Sequence, residues 1–153
     1  MKKFAEKYGP WALITGASSG MGVEFARRLA ESGMNVVLVV RREDRLRSLA
    51  TELECEYSIE TKVVAVDLSR DDFLESLRDA TADIEVGLLV NSAGFATSGH
   101  LLDNYLDAEL AMLHVNSRAP LVLSHHFGRR MREQGRGGII FVSSTVAYSG
   151  APG

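Results

Sequence analysis

An apolar run, Trp11-Ala12-Leu13-Ile14, leads directly into Thr15-Gly16-Ala17-Ser18-Ser19-Gly20-Met21-Gly22. After it, Met21, Phe25 and Leu29 recur every four residues in a segment reaching Ala30. That order reads as strand, tight glycine turn, helix. Glycines at 16, 20 and 22 carry no Cβ to hold a phosphate off the backbone. The first amides of the following helix are unpaired and point at the turn, so the chemistry on offer is pyrophosphate binding. A glycine turn without a ligand is the competing reading. A second phosphate could be gripped further on, where Val36-Val37-Leu38-Val39-Val40 ends in Arg41-Arg42 with no acid before Glu43. Arg41 can make a bidentate, charge-assisted contact there, with Arg42 assisting, unless both simply open a solvated helix. Asp67 stands with Leu68 after a third apolar run, Val63-Val64-Ala65-Val66, as a hydrogen-bond acceptor or as a helix cap ahead of Ser69. Asn116 precedes Pro120 by four residues. Proline has no amide proton, so the Asn116 carbonyl loses its helical donor and needs another partner, commonly a water, or the helix kinks.

The elements that must hold these residues can be read in order. The helix after the glycine turn closes at Gly33, a suitable C-terminal cap. Val36 to Val40 is a continuous apolar run, as in a strand covered on both faces. Leu46, Leu49 and Leu53 share one face of a second helix, and Val63 to Val66 makes a third buried strand. Ser69 with Asp72 resembles a capping box for a short helix through Phe73, Leu74 and Leu77. Val86 to Val90 is a fourth strand running into Asn91-Ser92-Ala93-Gly94, followed by a loop from Phe95 to Asn104. A long helix is expected from about Asp107 to Arg132, broken by Gly135, Gly137 and Gly138, before a fifth strand over Ile139 to Val142. Strands alternating with helices predict a doubly wound Rossmann-type parallel sheet, order 3-2-1-4-5, spanning 1–153 as a single α/β domain.

The totals narrow the function classes. The chain has 153 residues with 46% hydrophobic and 24% charged content, an ordinary globular composition. A net charge of −3 gives no reason to expect nucleic acid. The arginines of Arg129-Arg130-Met131-Arg132 read as a solvated helix end beside the dipole's negative pole. No apolar run approaches the roughly 20 residues of a membrane span. The single cysteine, Cys55, forms no internal disulfide and suits a reducing, cytoplasmic setting. His100, His114, His125 and His126 do not make a metal set, since the adjacent pair points to different helix faces.

Taken together these motifs resemble the short-chain dehydrogenase/reductase family. Its Thr-Gly-x-x-x-Gly-x-Gly motif is matched by Thr15, Gly16, Gly20 and Gly22, with Ser18, Ser19 and Met21 in the same turn. Its Asn-Asn-Ala-Gly motif is matched by Asn91, Ala93 and Gly94, with Ser92 replacing the second asparagine. Asn116 matches the family's helix asparagine, and Ser143-Ser144 its serine motif. The opening Tyr8-Gly9-Pro10-Trp11-Ala12, with Ile59 to Val63, is more narrowly similar to the 3-oxoacyl-CoA reductase and 17β-hydroxysteroid dehydrogenase branch. The resemblance implies hydride transfer between a nicotinamide cofactor and a small-molecule ketone or alcohol. It makes Arg41 a selector of NADP(H) over NAD(H), and Asp67 an acceptor from the adenine amino group. It gives Ser144 a hydrogen bond to the substrate carbonyl, and the Asn116 carbonyl a water linked to the catalytic lysine.

One part of the pattern is not met. The family's tyrosine lies about thirteen residues beyond the serine, with lysine four further on, and counting from Ser144 or from Gly150-Ala151-Pro152-Gly153 passes residue 153. Tyr148 is followed four residues later by Pro152. The 153-residue chain is therefore expected to be inactive in ketone reduction. A catalytically silent nucleotide-binding or regulatory module is the alternative, although such a module would need neither Asn116 nor Ser144. Self-association as a homodimer or larger is expected, through the long helix at Leu121, Val122 and Phe127 or through an unpaired edge at 139–142.

Overall fold

The computed structural model describes residues 3–41 and 46–149. Arg42 and Glu43 lie outside the described residues, as does the segment 150–153.

Each solid run of aliphatic residues becomes a strand: β1 (Trp11–Thr15), β2 (Asn35–Val40), β3 (Thr61–Ala65), β4 (Val86–Asn91) and β5 (Gly138–Phe141). They form one sheet in the order β3-β2-β1-β4-β5, and all four pairings are parallel. The expected doubly wound arrangement is therefore present. The helices are α1 (Lys3–Tyr8), α2 (Gly20–Glu31), α3 (Leu46–Tyr57), α4 (Phe73–Ala80), α5 (Leu106–Leu113), α6 (Ala119–Gln134) and α7 (Val146–Ser149). Alternating side chains of the central strands feed two cores. Ala12, Ile14, Val36, Leu38, Leu88 and Val90 pack with α2 and α3; Leu13, Val37, Val39 and Leu89 pack with α4 and α6.

β1, β2 and β4 are buried nearly throughout, whereas β3 and β5 are only half-buried. The expectation of a third buried strand is thus corrected. β3 is an edge, covered by a neighbour on one side only. β5 is the other edge and begins one residue earlier than expected. The buried face of α2 is Gly22, Ala26, Leu29 and Ala30. Leu29 of the Met21-Phe25-Leu29 spacing lies on that face and Phe25 packs partly against it, whereas Met21, 58% exposed, does not.

The capping box at Ser69 is also corrected. Asp72 is the N-cap of α4 and makes no side-chain cap bond, while Ser69 turns back to Asp67. The long helix exists, but as α5, a π turn at His114–Arg118, and α6. The Ala119 amide donates to the His114 carbonyl, five residues back. The widened turn comes immediately before Pro120, which can donate to no carbonyl in the preceding turn. α6 ends at Gly135 in the left-handed region (φ 71°), and α2 is closed by Gly33 (φ 83°). Arg130 departs from the solvated helix end expected of its run. Its guanidinium donates to the carbonyls of Thr81 (3.2 Å) and Ile84 (2.7 Å), tying the end of α4 to α6. Helix α1, unannounced by the charged N-terminal sequence, packs under the sheet, where the Tyr8 carbonyl leaves no room for a Cβ at residue 87.

Candidate functional site: a cleft at the carboxyl ends of the strands

The turn between β1 and α2 uses its glycines for two different purposes. An ideal Cβ on Gly22 would lie 2.1 Å from the Gly16 carbonyl oxygen, and one on Gly16 would lie 2.7 Å from the Ala93 Cα. Those two glycines let the turn close on itself and against the end of β4. Gly20 differs: its φ is +54° and nothing lies within 4 Å of a Cβ there. That open space is the cradle into which a ligand backbone can approach. Ser19 occupies the N-cap of α2 in extended conformation with no side-chain cap bond, and the first turn has no acid. The leading amides and the positive end of the helix dipole are left for an anion.

Thr15, 2% exposed, works from below. Its hydroxyl accepts the amides of Ser92 and Ala93, each at 3.1 Å, and faces the Val90 carbonyl at 3.4 Å. The first strand thereby fixes the main chain that follows the fourth.

A cavity of about 600 Å³ opens over this turn. Of the residues singled out in the sequence, it gathers Gly16, Ser18, Ser19, Gly20, Met21, Arg41, Asp67, Leu68, Ala93 and Gly94. Arg41 is exposed at the end of β2. Asp67 lies beyond the end of β3, and its Oδ1 accepts both the Ser69 amide (2.9 Å) and hydroxyl (2.7 Å). Those bonds, the hydroxyl first, hold its carboxyl below the usual range, with the Arg41 and Arg70 charges adding to them. An ionised acceptor thus faces the cavity.

Thr15, Gly22, Asn91, Asn116 and Ser144 are not among the residues that line the cavity. Asn91 is 4% exposed, and neither its Oδ1 nor its Nδ2 has a partner. Asn116, in the π turn, is committed through its side chain: Oδ1 accepts the Phe95 amide (3.1 Å) and Nδ2 donates to the Phe95 carbonyl (2.8 Å). Pro120 bears on the Asn116 carbonyl, whereas this grip on the post-β4 loop is made by the side chain. Ser144 is exposed before α7 and its Oγ accepts the Val146 amide at 3.3 Å, leaving the hydroxyl proton to donate. Tyr148, 95% exposed, lies on the same short helix. The lining residues that sequence reasoning missed include Val39, Val66, Ser92, Phe95, Ala111 and Val115. Ser92 and Phe95 adjoin a motif already marked, and Ala111 and Val115 fall one helical turn apart on the expected long helix.

The residues present fit a dinucleotide: a Cβ-free cradle, uncapped helix amides, a basic side chain at the end of β2 and an acceptor at the end of β3. The comparisons with known proteins agree. The family model for short chain dehydrogenase matches residues 10–153. A 7beta-hydroxysteroid dehydrogenase of Collinsella aerofaciens is 40% identical over 147 residues, covering 96% of this chain and 56% of that protein. Human 17-beta-hydroxysteroid dehydrogenase type 3 is 32% identical, covering 95% and 48%. A structure solved to explain 7beta-hydroxysteroid dehydrogenase stereoselectivity superposes with a TM-score of 0.93 at 39% identity, over 97% of this chain and 57% of that one. A short-chain dehydrogenase from Sphingobium yanoikuyae in complex with NADPH gives 0.86 at 33% identity, over 92% and 55%. The chain spans about half the length of the curated relatives it matches. With its parallel sheet, its glycine turn and the cleft they build, the chain belongs to the short-chain dehydrogenase family.

Proposed function

We propose that residues 1–153 form one cofactor-binding domain of an NADP(H)-dependent oxidoreductase that interconverts a small-molecule ketone and a secondary alcohol. The observation that carries this reading is the cavity joining Gly20, Arg41 and Asp67, with the NADPH complex of a relative as support. The diphosphate rests against the amides at the start of α2, and Ser18 and Ser19 close the turn around it. Arg41 takes the adenosine 2′-phosphate, with Arg42 assisting, and Asp67 and Leu68 face the adenine. Ala93 and Gly94 line the way toward the reacting end, where Thr15 holds the Ser92 and Ala93 amides and the buried Asn91 side chain has no partner among the described residues. The nicotinamide, when bound, supplies or accepts the hydride. Ser144 directs its hydroxyl proton to the substrate carbonyl oxygen, and Asn116 holds the neighbouring loop and carries the carbonyl that Pro120 leaves without an α-helical donor. We place the protein in the cytoplasm.

No tyrosine of the sequence is followed four residues later by lysine. The 153 residues alone therefore bind NADP(H) without turning over a ketone, and a regulatory or binding module of the same residues would behave likewise. Self-association is part of the reading. Leu121 is 69% exposed on α6 and Phe141 59% exposed on the edge strand β5. Phe127 is fully buried and Val122 half-buried, so of Leu121, Val122 and Phe127 it is Leu121 that offers most surface.

The test is a fluorescence titration of the chain with NADPH and NADH. NADPH is expected to bind about tenfold tighter, a charge-assisted contact discounted for the exposure of Arg41. Arg41→Asp removes the contact and adds repulsion, so it should erase or invert the preference. Equal affinities for both cofactors in the unaltered chain would refute the NADP(H) assignment, and NADPH consumption with a ketone would refute the inactivity of the 153 residues.

A further inference from the structure

The five-residue π turn reaches both walls of the cleft. Asn116, at its middle, holds the Phe95 main chain on one side through two hydrogen bonds. His114 and Arg118 flank it, four residues apart, and both reach the loop after β3. His114 Nδ1 lies 2.9 Å from the Ser69 carbonyl oxygen. A carbonyl only accepts, so Nδ1 carries the proton in this contact. Ser69 then donates its own amide and hydroxyl to a single oxygen, Asp67 Oδ1. The other carboxylate oxygen takes part in neither bond. Arg118 fixes the next residues. Its Nη1 donates to the Arg70 carbonyl at 3.3 Å, its Nη2 pairs with Asp71 at 2.9 Å, and its guanidinium carbon sits 5.9 Å from the Phe73 ring centre.

We propose that the π turn is a positioning clamp for the cofactor cleft, in which His114 and Arg118 set the aim of Asp67 through the main chain of the 67–71 loop. Neither side chain lines the cavity. Both are positioning residues that act on the adenine end, while Asn116 acts on the loop at the opposite end. The proposal rests on the reading that the cleft takes a dinucleotide. It adds to that reading a pair of residues, 45 and 48 positions away in sequence from the main-chain atoms they hold.

The physical expectation follows from the single N–H that His114 supplies. Without it, the Ser69 peptide loses one restraint, and the Asp67 carboxylate must be ordered by the ligand itself. A neutral hydrogen bond of this kind is worth about a fivefold change in affinity. Asparagine places an amide Nδ2 where the imidazole Nδ1 stood, so His114→Asn keeps the donor while His114→Leu deletes it.

The test uses the full chain and two probes, NADPH followed by its fluorescence and adenosine 2′,5′-bisphosphate followed by displacement of NADPH. His114→Leu should weaken both by about fivefold and by the same factor, because both carry the adenine end. His114→Asn should return both to within about twofold of the unaltered chain, a rescue that loss of packing alone would not give. Arg118→Gln should weaken both by about threefold, and it decides the matter together with His114→Asn should His114→Leu not fold. The clamp is overturned if His114→Leu or Arg118→Gln binds both probes as the unaltered chain does, or if His114→Asn is no better than His114→Leu. An unaltered chain that binds neither probe overturns the dinucleotide reading itself, and the clamp with it.

Discussion

Replacing Thr15 by valine removes one buried oxygen and keeps the shape of the side chain. That oxygen accepts the Ser92 and Ala93 amides, each at 3.1 Å, and Thr15 is 2% exposed. Leaving a buried donor unpaired costs about 1–3 kcal/mol. Both residues carrying those amides are half-buried, so the lower end applies to each. The 3.4 Å contact to Val90 is too long to add much. The sum is about 2–3 kcal/mol, which for a chain of this size lowers the thermal midpoint by roughly 4–12 °C. Thr15→Ser is the control: it keeps the hydroxyl and deletes one methyl, worth about 1 kcal/mol. The assay is thermal unfolding by circular dichroism, with NADPH affinity measured alongside. Ser92 and Ala93 line the cleft, so the valine variant should also bind NADPH more weakly than the serine variant. A valine variant as stable as the serine variant would refute the reasoning, because it would show that the hydroxyl does not hold the two strand ends together.

Two further outcomes are expected. The Asp67 carboxyl is held below its usual range by the Ser69 hydroxyl and amide, so the folded state binds this proton less readily than the unfolded chain. Its contribution is complete above the ordinary aspartate value of about 4 and is lost as pH falls through the lower folded value. Between about pH 5 and 3, Asp67→Asn should therefore lose less stability than the unaltered chain; parallel acid limbs would count against it. In sedimentation velocity the chain should run as a dimer or larger at tens of micromolar, and Leu121→Glu should release monomer if the α6 face carries the contact. If that variant remains associated, the contact is assigned to the edge of β5; a strictly monomeric unaltered chain refutes self-association altogether.

The central strands were legible in the sequence because residues buried on both faces must be apolar at every position. β1, β2 and β4 appear as such runs, and their ends delivered Arg41, Ser92, Ala93 and Gly94 to one cleft. The edges were less legible. The run Val63 to Val66 looks like a central strand, although β3 has a neighbour on one side only. Short polar side chains carried the least information. Ser69 with an acid three residues on has the form of a helix cap, and its actual partner, Asp67, lies two residues before it. Both geometries satisfy the same hydroxyl, and only the path of the main chain selects one.

The π turn shows where local reading stops and why. Pro120 announces that the helix cannot close normally at Asn116, and the widened turn follows from that one missing amide. Nothing local says which loops the side chains of the turn will reach, since their partners lie 21 to 48 residues away. A motif in sequence also merges two demands that the structure separates. Gly16 and Gly22 satisfy close packing of protein on protein, whereas Gly20 leaves open space at the head of α2. Thr15 and Asn116 hold main chain at the rim, whereas Arg41 and Asp67 face the cavity. Altering the first kind should change stability and affinity together; altering Arg41 should change affinity or cofactor choice while the thermal midpoint at neutral pH stays nearly fixed, whereas Asp67, through its bonds to Ser69, carries some of both. That contrast separates a residue that builds the site from one that touches what the site holds.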